Sequence, residues 1–147
     1  MKFSKMLTAI TEILNQNSDT QIDVCLTSQM ASAIELWTAM YENHAPWVDR
    51  KKVKSAQIPA AIASEIARLV TLEMQSEITG GAAAEYLNQE YQKKVLADLR
   101  RYVEYGCAKG GLILKPYMTK TGLAIQYVQA DSFFPLSFDD SGRIMQC

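Results

Sequence analysis

Few side chains in this sequence are of the kinds that start chemistry. His44 is the only histidine. A histidine-based nucleophilic triad or a His–Cys metal site would have to be built on it. Its neighbours Asn43, Ala45 and Pro46 instead describe the end of a helix. Cys25, Cys107 and Cys147 are widely spaced, with no Cys-x-x-Cys pair. They read as reduced thiols of the cytoplasm rather than as a zinc site or a disulfide framework. Asp139, Asp140 and Gly142 have the flavour of a calcium loop, yet the DxDxDG pattern and its later glutamate are missing. A hairpin turn is the better reading. Glu65, Glu73 and Glu77 fall at helical spacing and read as a solvated face.

The stretch Gly106-Cys107-Ala108-Lys109-Gly110-Gly111 raises the question of a ligand loop. A phosphate loop needs GxxxxGK[ST] between a strand and a helix. Here Lys109 precedes the paired glycines, no Ser or Thr follows, and the order is helix then strand. The expectation is therefore a joint: Gly106 ends a helix, and Gly110-Gly111 turn the chain into a sheet. The run Arg50, Lys51, Lys52 and Lys54 is the best basic patch and the one candidate contact with a polyanion or an acidic partner. Trp47 is the only aromatic beside it, too few for a platform on which bases stack. No catalytic, cofactor-binding or metal-ligating residue is expected, nor any enzymatic activity.

The elements that would position these residues are legible from periodicity. Phe3, Leu7, Ile10 and Leu14 form one helical stripe. The opening MKFSKMLTAITEIL is read as this amphipathic helix and not as a signal peptide, because polar residues break its apolar run. Asn15 to Thr20 is a polar breaker, and Ser28 is placed to cap the next helix. Met30, Ile34, Trp37 and Tyr41 repeat the stripe. Pro59 suits a first helical turn, and Ile62, Ile66, Leu69 and Val70, extended by Leu72, Met74 and Ile78, predict a deeply packed helix stopped by Gly80-Gly81. Residues 82–105 read as one long helix with Leu87, Tyr91, Val95, Leu99 and Tyr102 inward.

Past the glycines the period changes to that of strands. Leu112–Met118 and Leu123–Val128 are expected to pair through a turn at 119–122, with Gly122 taking positive φ. Phe133–Phe138 is a third extended piece, Asp139–Gly142 a turn, and Arg143–Cys147 the start of another strand. About four helices (to about residue 106) followed by a small antiparallel sheet (from about 111) make a single α+β domain over 1–147. Trp37, Tyr41, Ile66, Leu69, Leu99 and Tyr102 are the expected core. With 48% hydrophobic and 21% charged residues the composition is that of a globular chain. A net charge of -1 gives no overall basic field for nucleic acid. No apolar run reaches the length of a membrane span.

Four pieces of the sequence occur in one order: IELWTAMYENHAPW at 34–47, IPAAIASEIARLVTLEMQSEITG at 58–80, RRYVEYGCAKGGLILKPY at 100–117 and IQYVQADSFFPLSFDDSGRI at 125–144. Together they resemble the portal proteins of tailed bacteriophages, in the minor-capsid/portal form of prophages in Gram-positive bacteria. The resemblance covers most of 30–144, and the first 29 residues match less clearly. It implies a ring, usually of twelve copies, at one capsid vertex, through which DNA is packaged and ejected. Partners implied are other copies of the chain, the major capsid protein, the terminase motor, head completion proteins, and double-stranded DNA in the channel of the full ring. The resemblance implies no catalytic residue and no cofactor, because the motor hydrolyses the ATP. It places the protein in the virion, and in the host cytoplasm during assembly. Family members run to several hundred residues, so this chain is expected to be their N-terminal, wing-forming part, a scaffold that by its position in that family does not contact the DNA. A stand-alone adaptor or regulatory binding module, using the basic run and its helix surfaces, is the other reading.

Overall fold

The computed structural model describes residues 3–16, 24–49, 51–52 and 55–147. The first apolar stripe forms α1 (Phe3–Gln16), with Phe3 buried. Helix α2 (Ser28–Tyr41) starts one residue earlier than the sequence suggests. Thr27, not Ser28, is its cap, and its hydroxyl accepts the Met30 N–H at 3.2 Å. The far end closes on Asn43, whose φ of 59° is left-handed. The His44 N–H then reaches back to the Ala39 carbonyl (2.7 Å) and the Asn43 N–H to that of Met40 (3.2 Å). These two bonds satisfy carbonyls that the helix end leaves open. Pro46 only confirms a stop already made.

Helix α3 (Ile58–Thr71) carries Pro59 in its first turn. It ends well before Gly80-Gly81, which corrects the expected length. Residues of the next helical stretch hold the following segment: Asn88 Oδ1 accepts the Ile78 N–H, Tyr91 Oη donates to Ser76 Oγ, and Gln92 Nε2 donates to the Ser76 carbonyl. The expected long helix over 82–105 is broken into α4 (Ala84–Tyr91), a π turn (Gln92–Leu96) and α5 (Leu99–Lys109). In a regular helix the Asp98 N–H would bond Lys94; here it bonds Val95 at 3.3 Å. Tyr127 Oη donates to the Lys94 carbonyl at 2.7 Å instead. Gly106 lies inside α5, so it does not end the helix. Gly110 does, with φ +87° and its N–H on the Gly106 carbonyl at 2.9 Å.

Strands β1 (Leu112–Thr119) and β2 (Gly122–Gln129) form the expected hairpin, with Thr119 opposite Gly122. Gly122 takes φ +116°. A 3-10 turn (Ala130–Ser132) leads to β3 (Ser137–Phe138), which pairs with β4 (Ile144–Gln146) in a second two-stranded sheet. Asp139 Oδ1 accepts the N–H groups of Ser141 (2.9 Å) and Arg143 (2.7 Å), so this aspartate organises a turn. The fold is α+β: helices first, then hairpins.

The core is only partly where the stripes put it: Phe3, Leu7 and Ile34 of the first two stripes belong to it, and the large residues of the α3 stripe do not. Phe3, Leu26, Ala31, Ile34 and Ala130 form the buried cluster, with Met6, Leu7, Phe133 and Phe134 against it. The Phe3 and Phe134 rings stack at 5.5 Å. Of the six residues expected in the core, Trp37, Ile66 and Leu69 are 43, 44 and 59% exposed. Tyr41, Leu99 and Tyr102 are half-buried. The reason lies in α3, which turns its alanines inward: Ala63 and Ala67 are its buried residues, and α5 is its main neighbour. Small side chains let the helices approach, and the large ones beside them are left outside.

Candidate functional site

Two residues of the basic run, Lys51 and Lys52, lie among the described residues. Arg50 and Lys54 lie outside the described residues. Lys51 and Lys52 sit in a turn organised by Asp49, whose Oδ1 accepts the Lys51 N–H at 3.0 Å. Asp49 Oδ2 is 3.5 Å from Lys52 Nζ, a pair of exposed side chains worth little energetically. The carboxylate offsets part of the positive charge on which the site was expected to rest. Trp47 stands beside it, two-thirds exposed.

The glycine-rich stretch is built as a joint. Lys109 is buried at the last turn of α5. Its Nζ donates to Asp131 Oδ2 at 2.8 Å, tying the helix end to the 3-10 turn after β2. A Cβ on Gly111 would meet the Phe133 ring at 3.4 Å. The stretch is thus held from both sides by its own chain.

His44 is exposed and serves the end of α2 through its backbone. It borders a cavity of about 390 Å³ with Glu35, Thr38, Glu42 and Asp131. Among the described residues, no three of His, Cys, Asp and Glu converge closely enough to hold a metal ion. The cysteines stay apart and free.

A groove that sequence reasoning missed runs between α2, α3 and the end of α5. Trp37, Met40 and Tyr41 form one wall, Ile58, Ile62 and Ile66 the other, and Cys107 and Ala108 the end, around about 260 Å³. Tyr41 also joins a tyrosine network. Tyr41 Oη donates to Glu104 Oε1 at 2.7 Å, and the Tyr41 and Tyr105 rings meet edge to face at 5.9 Å. The Tyr102 and Tyr127 rings stack. Burial, and then the Glu104 carboxylate, push the Tyr41 hydroxyl well above the usual tyrosine range. Burial also raises Tyr127, and Asp98 adds to the effect. The signal for this groove was present in the stripes of α2 and α3; what was misjudged is that they would be covered.

No protein-family model, curated protein or solved structure matches this chain. Among the described residues no helix is long and apolar enough to cross a membrane. The arrangement offers an apolar, aromatic-walled groove and a rigid helix-to-hairpin joint. Chemically it can hold apolar side chains of another surface.

Proposed function

We propose that this chain is a structural subunit of a larger assembly, namely the wing-forming N-terminal part of a tailed-phage or prophage portal protein. The observation that supports this reading is the extent of apolar surface left uncovered. Ile58, Ile62, Ile66 and Leu69 on α3, and Leu72 just past its end, are each 44–63% exposed. Contiguous exposed apolar surface on this scale marks a place where another surface belongs. The family resemblance supplies the kind of assembly, and the helix-first, hairpin-last order agrees with it. Its mechanism is positional. The chain contributes no catalytic group, and the joint at Gly110 sets the hairpin at a defined angle to the helices.

Within this reading the partners are other copies in a ring, the major capsid protein, the terminase motor and head completion proteins. The protein belongs to the virion, with assembly in the host cytoplasm. DNA passes through the channel of the full ring and is not contacted by this part. The test is electron microscopy of the product of the complete coding frame. Closed rings with a central channel support the reading, and a product that stays a single chain or pair overturns it. The adaptor reading has one observation in its favour, the nearness in sequence of the exposed Trp47 and Lys52 to the uncovered face of α3. It predicts a stable complex with one other protein and no ring.

A further inference from the structure

The π turn holds one residue more than a regular helix takes up. The Ala97 N–H bonds the Gln92 carbonyl at 3.3 Å, five residues back instead of four. The Lys94 carbonyl left open is claimed by Tyr127 Oη, which stands 2.7 Å from it and 3.3 Å from the Val95 carbonyl. A second tie runs the other way, from Lys94 Nζ to the Leu123 carbonyl near the start of β2. Hairpin and π turn therefore hold each other. On the far side, Asn88, Tyr91 and Gln92 carry the bonds that hold Ser76 and Ile78. Both outer parts are lightly seated. No residue of α4 is buried, and β1 is exposed from Leu114 to its end.

We propose that the Lys94 carbonyl is a two-position switch through which the hairpin sets the rotation of α4. Two donors compete for it. With the Tyr127 hydroxyl on it, the extra residue stays in the π turn and α4 faces segment 74–79. With the hairpin drawn away, the Asp98 N–H leaves Val95, where it stands at 3.3 Å, and takes the Lys94 carbonyl. The Ala97 N–H takes that of Lys93. The helix then runs regularly, and α4 turns against α5 by one residue step, about 100°, with a shift of about 1.5 Å. The fixed end is α5, because its last turn is pinned by Gly110 under Trp37 and by Lys109 on Asp131. A turn of that size carries Asn88, Tyr91 and Gln92 off Ser76 and Ile78, and segment 74–79 is released. Hairpin and segment are thus coupled through one element that both of them bias, and the coupling runs in both directions. The switch does not rest on the portal reading.

The test uses the full 147-residue chain and nuclear Overhauser contacts between the Tyr91 ring and Ser76. The wild type should show them, since Tyr91 Oη lies 3.0 Å from Ser76 Oγ. Tyr127→Phe combined with Lys94→Met removes both ties to the hairpin and keeps an aromatic ring on Tyr102. These contacts should then be lost, although the hydroxyl and ammonium removed bond nothing in 74–79. Contacts between the Phe3 and Phe134 rings should persist, as a check on the core. A second variant deletes Lys93, which is exposed, and so removes the extra residue itself. There α4 should keep its face, and the same double substitution should leave the Tyr91–Ser76 contacts in place. Contacts that survive the double substitution with Lys93 present overturn the proposal. So does their loss on deletion of Lys93 alone, or on the double substitution in the deleted chain, or together with the Phe3–Phe134 contacts, because each marks a loosening that does not pass through the π turn.

Discussion

The ring of Trp37 stands where a side chain on Gly110 would have to go: a Cβ there would lie 2.9 Å from Trp37 Cζ3. Gly110 also holds a left-handed φ of +87°, which any residue with a Cβ adopts at a cost. Two independent demands thus meet at one residue, the turn out of α5 and the packing of α2 on that turn. The joint between helices and hairpin is therefore stiff, and the outer wall of the groove is anchored to it.

Replacing Gly110 by alanine should destabilise the protein by about 2 kcal/mol, combining left-handed strain and overlap with the tryptophan. In a Trp37→Leu background the same change should cost only about 1 kcal/mol, since the strain alone remains. Urea denaturation of the four proteins measures both. Equal costs in the two backgrounds would show that the ring contact is irrelevant.

The Lys109–Asp131 pair closes the other side of the joint. Asp131→Ala leaves the Lys109 ammonium buried without its carboxylate. Because Asp131 keeps a quarter of its side chain exposed, the loss should fall at the lower end for broken buried pairs, about 3 kcal/mol. Lys109→Met combined with Asp131→Leu should recover most of it. A double variant no more stable than Asp131→Ala would contradict this account.

Alkaline pH should weaken the fold through Tyr41. Its hydroxyl is raised above the unfolded value, near 10 for tyrosine. Between the two values the folded chain holds a proton that the unfolded chain has lost, so stability falls as pH rises. It is fully present below about pH 10 and declines above. Tyr41→Phe should flatten that decline in denaturation midpoints measured across the alkaline range. A slope unchanged by the substitution would assign the effect elsewhere.

The π turn depends on a hydroxyl from the hairpin. Tyr127→Phe leaves the Lys94 carbonyl without its 2.7 Å donor and should cost about 1–2 kcal/mol. Amide hydrogen exchange around Ala97 and Asp98 should quicken at the same time. Unaltered exchange there would mean that the π turn stands without Tyr127.

Core position outweighs side-chain size in this chain. Ile34→Ala should cost about 2–4 kcal/mol, because Ile34 is 8% exposed in the main cluster. Leu69→Ala, at 59% exposure, should change the single chain by no more than about 0.5 kcal/mol. Thermal midpoints at low protein concentration compare the two. A larger loss for Leu69 would restore the core inferred from periodicity.

Local rules read this sequence well where the answer is local. The stripes of α1, α2 and α3 and the alternation of β1 and β2 follow from side-chain period. Gly122 marks the first turn and Asp139 to Gly142 the second, because few residues suit those backbone angles and turn bonds. The same local logic failed at Thr27, where a neighbouring hydroxyl was equally eligible to cap. It failed again at the end of α3, which is set by side chains of α4 and the π turn a dozen or more residues away.

The sequence by itself determined the order of helices and hairpins, hence the α+β class, and the presence of a joint at Gly110-Gly111. These depend on steric preferences that each short segment carries with it. Only the tertiary structure decided which apolar stripe is covered, that Lys109 is buried on Asp131, and that Tyr127 holds the π turn. A stripe of Ile and Leu looks the same whether another element covers it or not. Burial is a property of two surfaces meeting, and in α3 the alanine face met α5 first.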